Sequence, residues 1–348
     1  MRIIAVALLL LFVNGCVSIE DKSYYTKDDI ATEVDPYIIE LNDEGELHHK
    51  EQAKQYLDKL DKLDTLEDNT HVIIFVHGWR HNASPEDRNL KEFKTFMTHL
   101  ENNSNDDFIG LYVGWRGDSR KGFDLHTLED RKKVSKVVGA KGLRTIIQNT
   151  KDKVPKNSNV KLAVIGHSLG GSAVFNAISK DLKDGSFQNS SHQSYIMLNP
   201  AFSKQEFTES YAGIADRELE ESEQPLVIFQ AQEDWAVKWL LPIFTDTDSV
   251  GFSPDDTLTH TSWACSQSDK DCLDMLQKKK KIRPECNKVL NNDSWFIKAF
   301  NDKDYESCMN SWKAPAYVIQ TANTISGSHN EILTSTEAKA LLDFFILK

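Results

Sequence analysis

The stretch VKLAVIGHSLGGSAVFNAISK, from Val160 to Lys180, decides the fold class. Its first half is an unbroken apolar run, typical of a strand buried on both faces. Its second half carries apolar residues at helical spacing. Between the halves lies GHSLG, from Gly166 to Gly170, which places the Ser168 hydroxyl between two glycines where the strand turns into a helix. A polar residue in this place is either part of the turn or presented to another molecule.

The same alternation of apolar runs and amphipathic stretches continues on both sides of this motif. Strands are expected at 72–78, 108–115, 160–166, 194–200, 225–231 and 316–321, and helices at 46–68, 85–100, 129–153, 168–182 and 330–347. Ser84 is expected to cap the second of these helices, with Pro85 at its first position. Continuous apolar strands that alternate with helices predict an α/β fold, with a doubly wound, mostly parallel sheet.

Length and charge limit the class of protein. The chain has 348 residues and a net charge of −12. Binding to nucleic acid needs a basic field, so the charge argues against nucleic acid as the partner. The length suits one large domain or two small ones, and a single domain is expected over residues 46–348. Nothing in the sequence implies a cofactor or a metal.

One segment, 246–313, breaks the rhythm of strands and helices. It is expected to be an insertion before the last strand, at one edge of the sheet, and it is the candidate lid. An even number of clustered cysteines suits two disulfides in an oxidising compartment, with three pairings open. A four-cysteine zinc site is the alternative, and the lack of a close C-x-x-C pair argues against it. The cysteines concerned are Cys265, Cys272, Cys286 and Cys308.

The first residues, 1–15, are typical of a signal peptide and not of the fold. Arg2 supplies a positive charge, and the apolar run at 3–13 is too short to span a bilayer. The run ends in VNGC at Cys16, which resembles a bacterial lipoprotein signal, with Asn14 an unusual residue for its position.

The resemblance to lipoprotein signals implies cleavage before Cys16 and a lipid on that cysteine. Val17, which is not an aspartate, implies the outer membrane, with the protein facing the periplasm or the surface. Residues 16–45 are then expected to be a tether between the lipid and the folded body. A plain secretory signal that is cleaved nearby is the alternative.

Open α/β sheets bind ligands at the carboxyl ends of their strands, and Ser168 lies at the carboxyl end of a predicted strand. The turn after the third strand presents the hydroxyl clear of the sheet, and the helix N-terminus beside it supplies backbone N–H donors. Ser168 is therefore a candidate nucleophile. The alternative is a serine that only caps the helix.

A serine nucleophile needs a base and an orienting carboxylate, and both are available after other strands. Asp234 follows the strand at 225–231 and is favoured over Glu233 as the acid, although a helix cap or a solvated loop acid is its alternative. His329 follows the last strand and completes the order serine, acid, histidine. His260, the other histidine after the acid, has no strand to position it.

The remaining candidates lie near the first strand and the serine. The backbone N–H groups of Trp79 and Leu169 are the candidate oxyanion donors. His77 precedes the serine in the chain and is interpreted as structural. Arg80 and Arg116 follow strands near the same edge, where ion pairs that brace loops are favoured over contact with an anionic substrate.

Together these motifs resemble the α/β-hydrolase superfamily, and more narrowly its bacterial esterase-like and lipase-like members. The residues concerned are HVIIFVHGWRHN at 71–82, YVGWRG at 112–117, VIGHSLGG at 164–171 and the turns at Asp234 and His329. The resemblance implies a serine esterase or lipase with a Ser168–His329–Asp234 triad and an acyl-enzyme. Its substrates would be acyl esters, either lipids or small esters, met in the periplasm or at the membrane surface to which the lipid anchor attaches the protein.

Two features depart from the simplest members of the superfamily. The interval from acid to base is long, because 329 − 234 = 95 residues separate them. The loop between the strands that end at Pro200 and begin at Pro225 is short for a lid. The same triad also serves acyl transfer, thioester cleavage or peptide cleavage. A non-catalytic envelope lipoprotein that keeps the fold is the alternative from another class.

Overall fold

The computed structural model describes residues 18–26, 36–63, 69–120, 126–154, 160–188, 190, 192–220, 223–231, 261–266, 287–289, 295–300, 315–321, 333–334 and 336–347. The strands in these ranges are β1 Tyr37–Leu41, β2 Thr70–Val76, β3 Asp107–Trp115, β4 Lys161–His167, β5 Gln193–Leu198, β6 Leu226–Ala231, β7 Thr261–Ser266, β8 Asn287–Val289, β9 Trp295–Phe300 and β10 Ala316–Thr321. The α-helices are α1 Lys50–Leu60, α2 Arg88–Asn103, α3 His126–Val138, α4 Arg144–Lys153, α5 Leu169–Lys183, α6 Lys204–Tyr211 and α7 Thr336–Leu347. No helix within these ranges is both long and apolar enough to cross a membrane.

The strands form one sheet in the order β1-β3-β2-β4-β5-β6-β10-β7-β9-β8. Along this order, each pair of neighbouring strands from β1 at one edge as far as β7 is parallel. The last two pairs, β7 with β9 and β9 with β8, are antiparallel. The mostly parallel sheet that the sequence predicts is therefore confirmed. Strands β7, β8 and β9 lie between β6 and β10 in the chain and at one edge of the sheet.

Helices cover both faces of the sheet, which explains the unbroken apolar strands. Successive residues of a strand point to opposite faces. In β2, Val72, Ile74 and Val76 pack into the core on one face, and Ile73 and Phe75 pack into the core on the other. The first core is closed by α1, α3, α4, α5 and α6, and the second by α2 and α7. A strand between two apolar layers has no polar face to show in its sequence.

The start of α2 differs from the prediction. Asp87 is the N-cap, and its carboxylate accepts hydrogen bonds from the backbone N–H of Asn89 at 2.8 Å and of Leu90 at 3.4 Å. Ser84 instead lies in the preceding turn, where its hydroxyl accepts from the N–H of Glu86 at 3.3 Å. A carboxylate at the N-cap also meets the positive end of the helix dipole, which favours it over the serine.

The helix predicted at 129–153 is interrupted by a π-helical turn, Gly139–Leu143, between α3 and α4. A Cβ at Gly139 would lie 2.2 Å from the Ala173 carbonyl oxygen, and one at Gly142 would lie 2.4 Å from the Gly45 carbonyl oxygen. The glycines let this turn pack directly on the backbone of α5 and of the loop after β1. Close packing against segments distant in the sequence therefore accounts for the π-helical turn.

Part of the predicted tether belongs to the folded body, which is a correction to the expected boundary at residue 46. Tyr37–Leu41 forms β1 and pairs in parallel with β3. Residues 18–26 are also held against this region by hydrogen bonds. Polar, acidic composition over 17–35 predicts the tether, and the five-residue edge strand that follows is too short to mark its end.

Candidate active site

Ser168 occupies the turn between β4 and α5 in an uncommon backbone conformation. Its φ is 55° and its ψ is −118°. A residue other than glycine rarely adopts a positive φ, and such strain collects at functional sites. The turn lies at the carboxyl end of a central strand, where open α/β sheets bind ligands.

The glycines beside this turn are required by packing. A Cβ at Gly170 would lie 2.1 Å from the Val76 carbonyl oxygen and 2.5 Å from that of His77. A Cβ at Gly166 would lie 2.6 Å from the Gly170 carbonyl oxygen. The first turn of α5 therefore lies directly against the end of β2, as the sequence predicts for a tight strand-to-helix turn.

Backbone contacts fix Ser168 from three sides. Its N–H donates to the Leu198 carbonyl at 3.0 Å, and its carbonyl accepts from Ser172 N–H at 3.1 Å and Ala201 N–H at 3.0 Å. Its side chain makes no capping hydrogen bond to α5, so the helix-cap alternative does not describe it. The residue is only 5% exposed, so it is recessed, whereas the sequence predicts a hydroxyl that stands clear of the sheet.

The structure brings the loop after β2 against the serine turn. A Cβ at Gly78 would lie 2.8 Å from Ser168 Cβ and 3.0 Å from the His167 carbonyl oxygen. Trp79 follows Gly78, and its indole N–H donates to Thr127 Oγ1 at 3.1 Å. Both candidate oxyanion donors, the N–H of Trp79 and the N–H of Leu169, therefore belong to segments that flank Ser168.

The two arginines that follow β2 and β3, Arg80 and Arg116, contact protein groups near the carboxyl ends of these strands. The Arg116 guanidinium pairs with Asp43 and donates from Nη1 to the Ile19 carbonyl at 2.7 Å. The Arg80 guanidinium carbon lies 5.7 Å from the centroid of the Trp79 ring, a cation–π distance. Arg116 thus forms the loop-bracing ion pair that the sequence favours.

His77 is a structural residue, in agreement with its place before the serine. The residue is fully buried, and its ring stacks on Trp115 with centroids 5.5 Å apart. Its Nε2 accepts from the Trp115 N–H at 3.0 Å, and its Nδ1 lies 3.0 Å from the Gly78 carbonyl oxygen. A carbonyl can only accept, so the ring proton is on Nδ1. The ring therefore joins the ends of β2 and β3.

Burial lowers the pKa of His77 to about 4, so the folded protein holds a neutral ring at pH 7. In the unfolded chain the same group titrates near ~6.5. Between these values the unfolded state binds more protons, so stability rises with pH and is lost on acidification. We expect His77 to account for about 3 kcal/mol of lost unfolding free energy between pH 7 and pH 4. Urea unfolding followed by circular dichroism measures this loss.

His77→Gln is the control for this titration. The Gln side-chain oxygen replaces Nε2 as the acceptor for the Trp115 N–H, and the variant has no proton to gain at this site. Its unfolding free energy should fall less steeply with acid than that of the wild type. Equal pH dependence in the two proteins would contradict a neutral, buried His77.

Asn199 is a residue of this edge that the sequence pattern alone did not single out. It follows β5 with a φ of 44° and is 2% exposed. Its N–H donates to the Phe229 carbonyl at 2.8 Å, and its Oδ1 accepts from the Ala231 N–H at 2.8 Å. It therefore fixes the carboxyl end of β6 relative to β5. Asparagine tolerates the left-handed conformation. An asparagine directly after an apolar run is therefore the sequence feature that could have indicated this position.

The predicted acid and base, Asp234 and His329, lie outside the described residues, as do Cys16, Cys272, Cys286 and Cys308. Cys265 lies in β7. The strands that precede the acid and the base are described: β6 and β10 are parallel neighbours, with Ala231 opposite Thr321. Both strands therefore end at the same edge of the sheet as β4.

Comparison with known proteins gives the family. No curated protein matches the chain. The crystal structure of TT1662 from Thermus thermophilus aligns with 80% of this chain and 88% of that chain, at 10% sequence identity and a TM-score of 0.38, values too low to inform the fold. The model of the family described as "Alpha/beta hydrolase of unknown function (DUF900)" matches residues 50–276. This range includes Ser168 and Asp234 and ends before His329. The chain belongs to this family of α/β hydrolases.

Proposed function

We propose that this α/β hydrolase is a serine hydrolase that cleaves carboxylic esters through an acyl-enzyme. The backbone of Ser168 is the observation that carries the proposal. A residue needed only to turn the chain at a φ of 55° and a ψ of −118° would be glycine, which adopts this conformation at lower cost. Serine at this position brings a hydroxyl, and that hydroxyl does not cap the helix that follows.

Sheet geometry supports Asp234 and His329 as its partners. Neighbouring strands lie about 4.8 Å apart, so β6 is roughly 10 Å and β10 roughly 14 Å from β4. Asp234 comes 234 − 231 = 3 residues after the end of β6, and His329 comes 329 − 321 = 8 residues after the end of β10. At ~3.3 Å per residue, both segments are long enough to reach Ser168.

The proposed reaction has two steps. His329 accepts the Ser168 proton as the serine oxygen attacks the ester carbonyl, and the N–H groups of Trp79 and Leu169 donate to the oxyanion. The alcohol leaves with the proton from His329. His329 then takes a proton from water, which attacks the acyl-enzyme and releases the acid, and Ser168 regains its proton. Asp234 orients the imidazole and stabilises its charged form.

A fluorophosphonate probe tests whether the protein is a serine hydrolase. We expect the purified wild type to be labelled, the label to be absent in Ser168→Ala, and labelling to be strongly weakened in His329→Ala. A folded wild type that stays unlabelled would favour the non-catalytic envelope lipoprotein. Acyl transfer, thioester cleavage and peptide cleavage use the same labelled serine, so rates on ester, thioester and amide substrates separate these from ester hydrolysis.

We expect activity on p-nitrophenyl esters to fall below about pH 6, because an imidazole with an ordinary pKa near ~6.5 loses its role as a base once protonated. Esters of rising chain length, measured on the same preparation, separate esterase from lipase behaviour. Circular dichroism at each pH controls for unfolding, since buried His77 also weakens the fold in acid. A flat profile down to pH 4 in a folded protein would contradict histidine as the base.

We also propose that the enzyme is an outer-membrane lipoprotein, modified at Cys16, that faces the periplasm or the surface. The VNGC motif after the apolar run supports this localisation. The late cysteines Cys265, Cys272, Cys286 and Cys308 would form two disulfides in an insertion, 246–313, that acts as the lid. Mass spectrometry of the mature protein tests both proposals. Acyl chains on Cys16 would raise the mass, and two disulfides would lower it by four hydrogen atoms, which reduction restores.

A further inference from the structure

Residues 18–26, which we call the N-terminal strap, begin at the carboxyl edge of the sheet. Ser18 forms a bridge with Arg120, and the Ile19 N–H donates to the Ser119 carbonyl at 2.9 Å. The Ile19 carbonyl accepts from Arg116 Nη1 at 2.7 Å. All three partners follow the last residue of β3, Trp115. The first residues of the strap are therefore attached to a loop at the carboxyl end of a strand.

Residues 23–25 of the strap are held by one buried polar group of β1, the Glu40 carboxylate. The Glu40 carboxylate is 3% exposed and accepts hydrogen bonds from the N–H of Tyr24 at 2.8 Å and of Tyr25 at 3.1 Å. The Ser23 hydroxyl donates to the same carboxylate. A buried carboxylate that lost these donors would be left poorly compensated. The docked strap therefore supplies three of the donors that compensate this buried carboxylate, and Gln52 Nε2 supplies a fourth at 3.0 Å.

An ion-pair network fixes the loop to which the strap is attached. Asp43 accepts from Arg116 and from Arg131, with Arg131 Nη1 at 2.7 Å. Burial alone would raise the pKa of Asp43, but hydrogen bonds and charges from the two arginines outweigh it and lower the pKa. The carboxylate thus stays charged, and the ends of β1 and β3 are joined to each other and to the strap.

The attachment point of the strap is packed toward the proposed nucleophile. A Cβ at Gly117, in the loop that holds Ile19, would lie 2.6 Å from the Gly78 carbonyl oxygen. A Cβ at Gly78 would lie 2.8 Å from Ser168 Cβ. The strap, the loop after β3, the loop after β2 and the serine turn therefore follow one another along the same edge.

Sequence distance links this edge to the lipid anchor. Cys16 precedes Ser18 by 18 − 16 = 2 residues, which span at most about 7 Å. An acylated cysteine lies at the membrane surface, because its chains are buried in the bilayer. The end of the strap that is nearest to the anchor is also the end attached at the carboxyl edge.

We propose that the strap holds the carboxyl edge of the sheet, where Ser168 lies, against the lipid surface, and that the substrates are acyl esters of membrane lipids. The inference rests on the proposed function, because it needs the lipid on Cys16 and the hydrolase chemistry of Ser168. A flexible tether up to residue 45 would leave the body free to turn in any direction. A docked strap fixes one orientation.

Energy transfer to the membrane tests the orientation without using activity. A fluorophore is placed on the full, lipidated chain through an azido amino acid at exposed Glu86, in the loop after β2, or at exposed Asp107, the first residue of β3. The acceptor is a headgroup-labelled lipid in phosphatidylethanolamine–phosphatidylglycerol vesicles. Transfer from position 86 should exceed that from position 107 roughly threefold or more, because about 26 Å of strand separates the two edges. Equal transfer, or more from position 107, would overturn the proposal.

A spacer variant supplies the matched control. Twenty glycine and serine residues inserted between Val17 and Ser18 leave the strap and the anchor intact and add an average reach of about 25 Å. The difference between the two labels should then disappear. Cys16→Ser should not bind the vesicles, because a chain with a net charge of −12 has no attraction to anionic lipid. A difference that survives the spacer would show that the strap does not set the orientation.

Activity measurements distinguish a failure of this inference from a failure of the proposed function. The wild type should cleave a vesicle-embedded fluorogenic acyl ester at least ~10-fold faster than the spacer variant, with equal rates on soluble p-nitrophenyl acetate. Equal rates of the two proteins on both substrates would overturn the lipid-surface substrate and keep the hydrolase. No cleavage of either ester and no fluorophosphonate labelling would overturn the proposed function, while the energy-transfer result still tests the orientation.

Discussion

Ser168→Ala is expected to lower kcat for p-nitrophenyl esters by about 10⁴-fold or more, since the variant has no oxygen to acylate. A residual rate above the uncatalysed reaction should remain, because the backbone donors of Trp79 and Leu169 are unchanged. Serine and alanine both occupy the positive φ of this turn at a similar cost, so the fold should be kept. Steady-state kinetics and thermal melting on the same preparations measure the two effects separately.

Ser172→Ala is the matched control for this loss. Ser172 lies in the first turn of the same helix, is fully buried, and its hydroxyl accepts from Ser135 Oγ at 3.2 Å. Removing this hydrogen bond should cost about 1 kcal/mol of stability and leave kcat near the wild-type value. Wild-type kcat in Ser168→Ala, or an equal loss of kcat in both variants, would contradict a nucleophilic Ser168.

Gly170→Ala is expected to destabilise the fold by about 3 kcal/mol or more. The added methyl would lie 2.1 Å from the Val76 carbonyl oxygen and 2.5 Å from that of His77, and both are backbone atoms that cannot move aside as a flexible side chain does. Either α5 shifts away from β2 or the sheet distorts. A displacement of the serine turn by ~1 Å should also lower kcat by about 10²-fold. Urea unfolding and ester kinetics measure both.

Gly185→Ala is the control that measures the cost of backbone strain without the close packing found at Gly170. Gly185 follows the other end of the same helix, with a φ of 74°, and the nearest atom to an added Cβ is 3.2 Å away. This variant should lose about 1 kcal/mol through the left-handed conformation and keep its kcat. Equal stability of Gly170→Ala and the wild type would contradict the tight contact between α5 and β2.

The central strands and the serine turn were predictable because their signals are local. A strand covered on both faces is apolar throughout, as Ile73 and Ile74 are on opposite faces of β2. The glycines at 166 and 170 are needed for contacts within one strand–turn–helix unit and its neighbour. Such short-range requirements leave a pattern in consecutive residues.

Features that depend on distant partners were not predictable from the same pattern. β1 is an edge strand of five residues that is recognisable as a strand only through its pairing with β3. The strap is held by Glu40 and Arg116, which are 16 and 97 residues away from Tyr24 and Ile19. Asn199 acts through the N–H of Ala231, 32 residues later. Sequence spacing carries no record of such contacts, so polar composition favoured a tether where the chain is docked.

Peptide mapping of the fluorophosphonate adduct tests the central claim most directly. The labelled wild type is digested, and the modified residue is located by tandem mass spectrometry. We predict a single phosphonylated site at Ser168, on the peptide that spans the end of β4 and the start of α5. A folded protein that is modified at another serine, or that carries no adduct while a known serine hydrolase in the same tube is fully labelled, would contradict it.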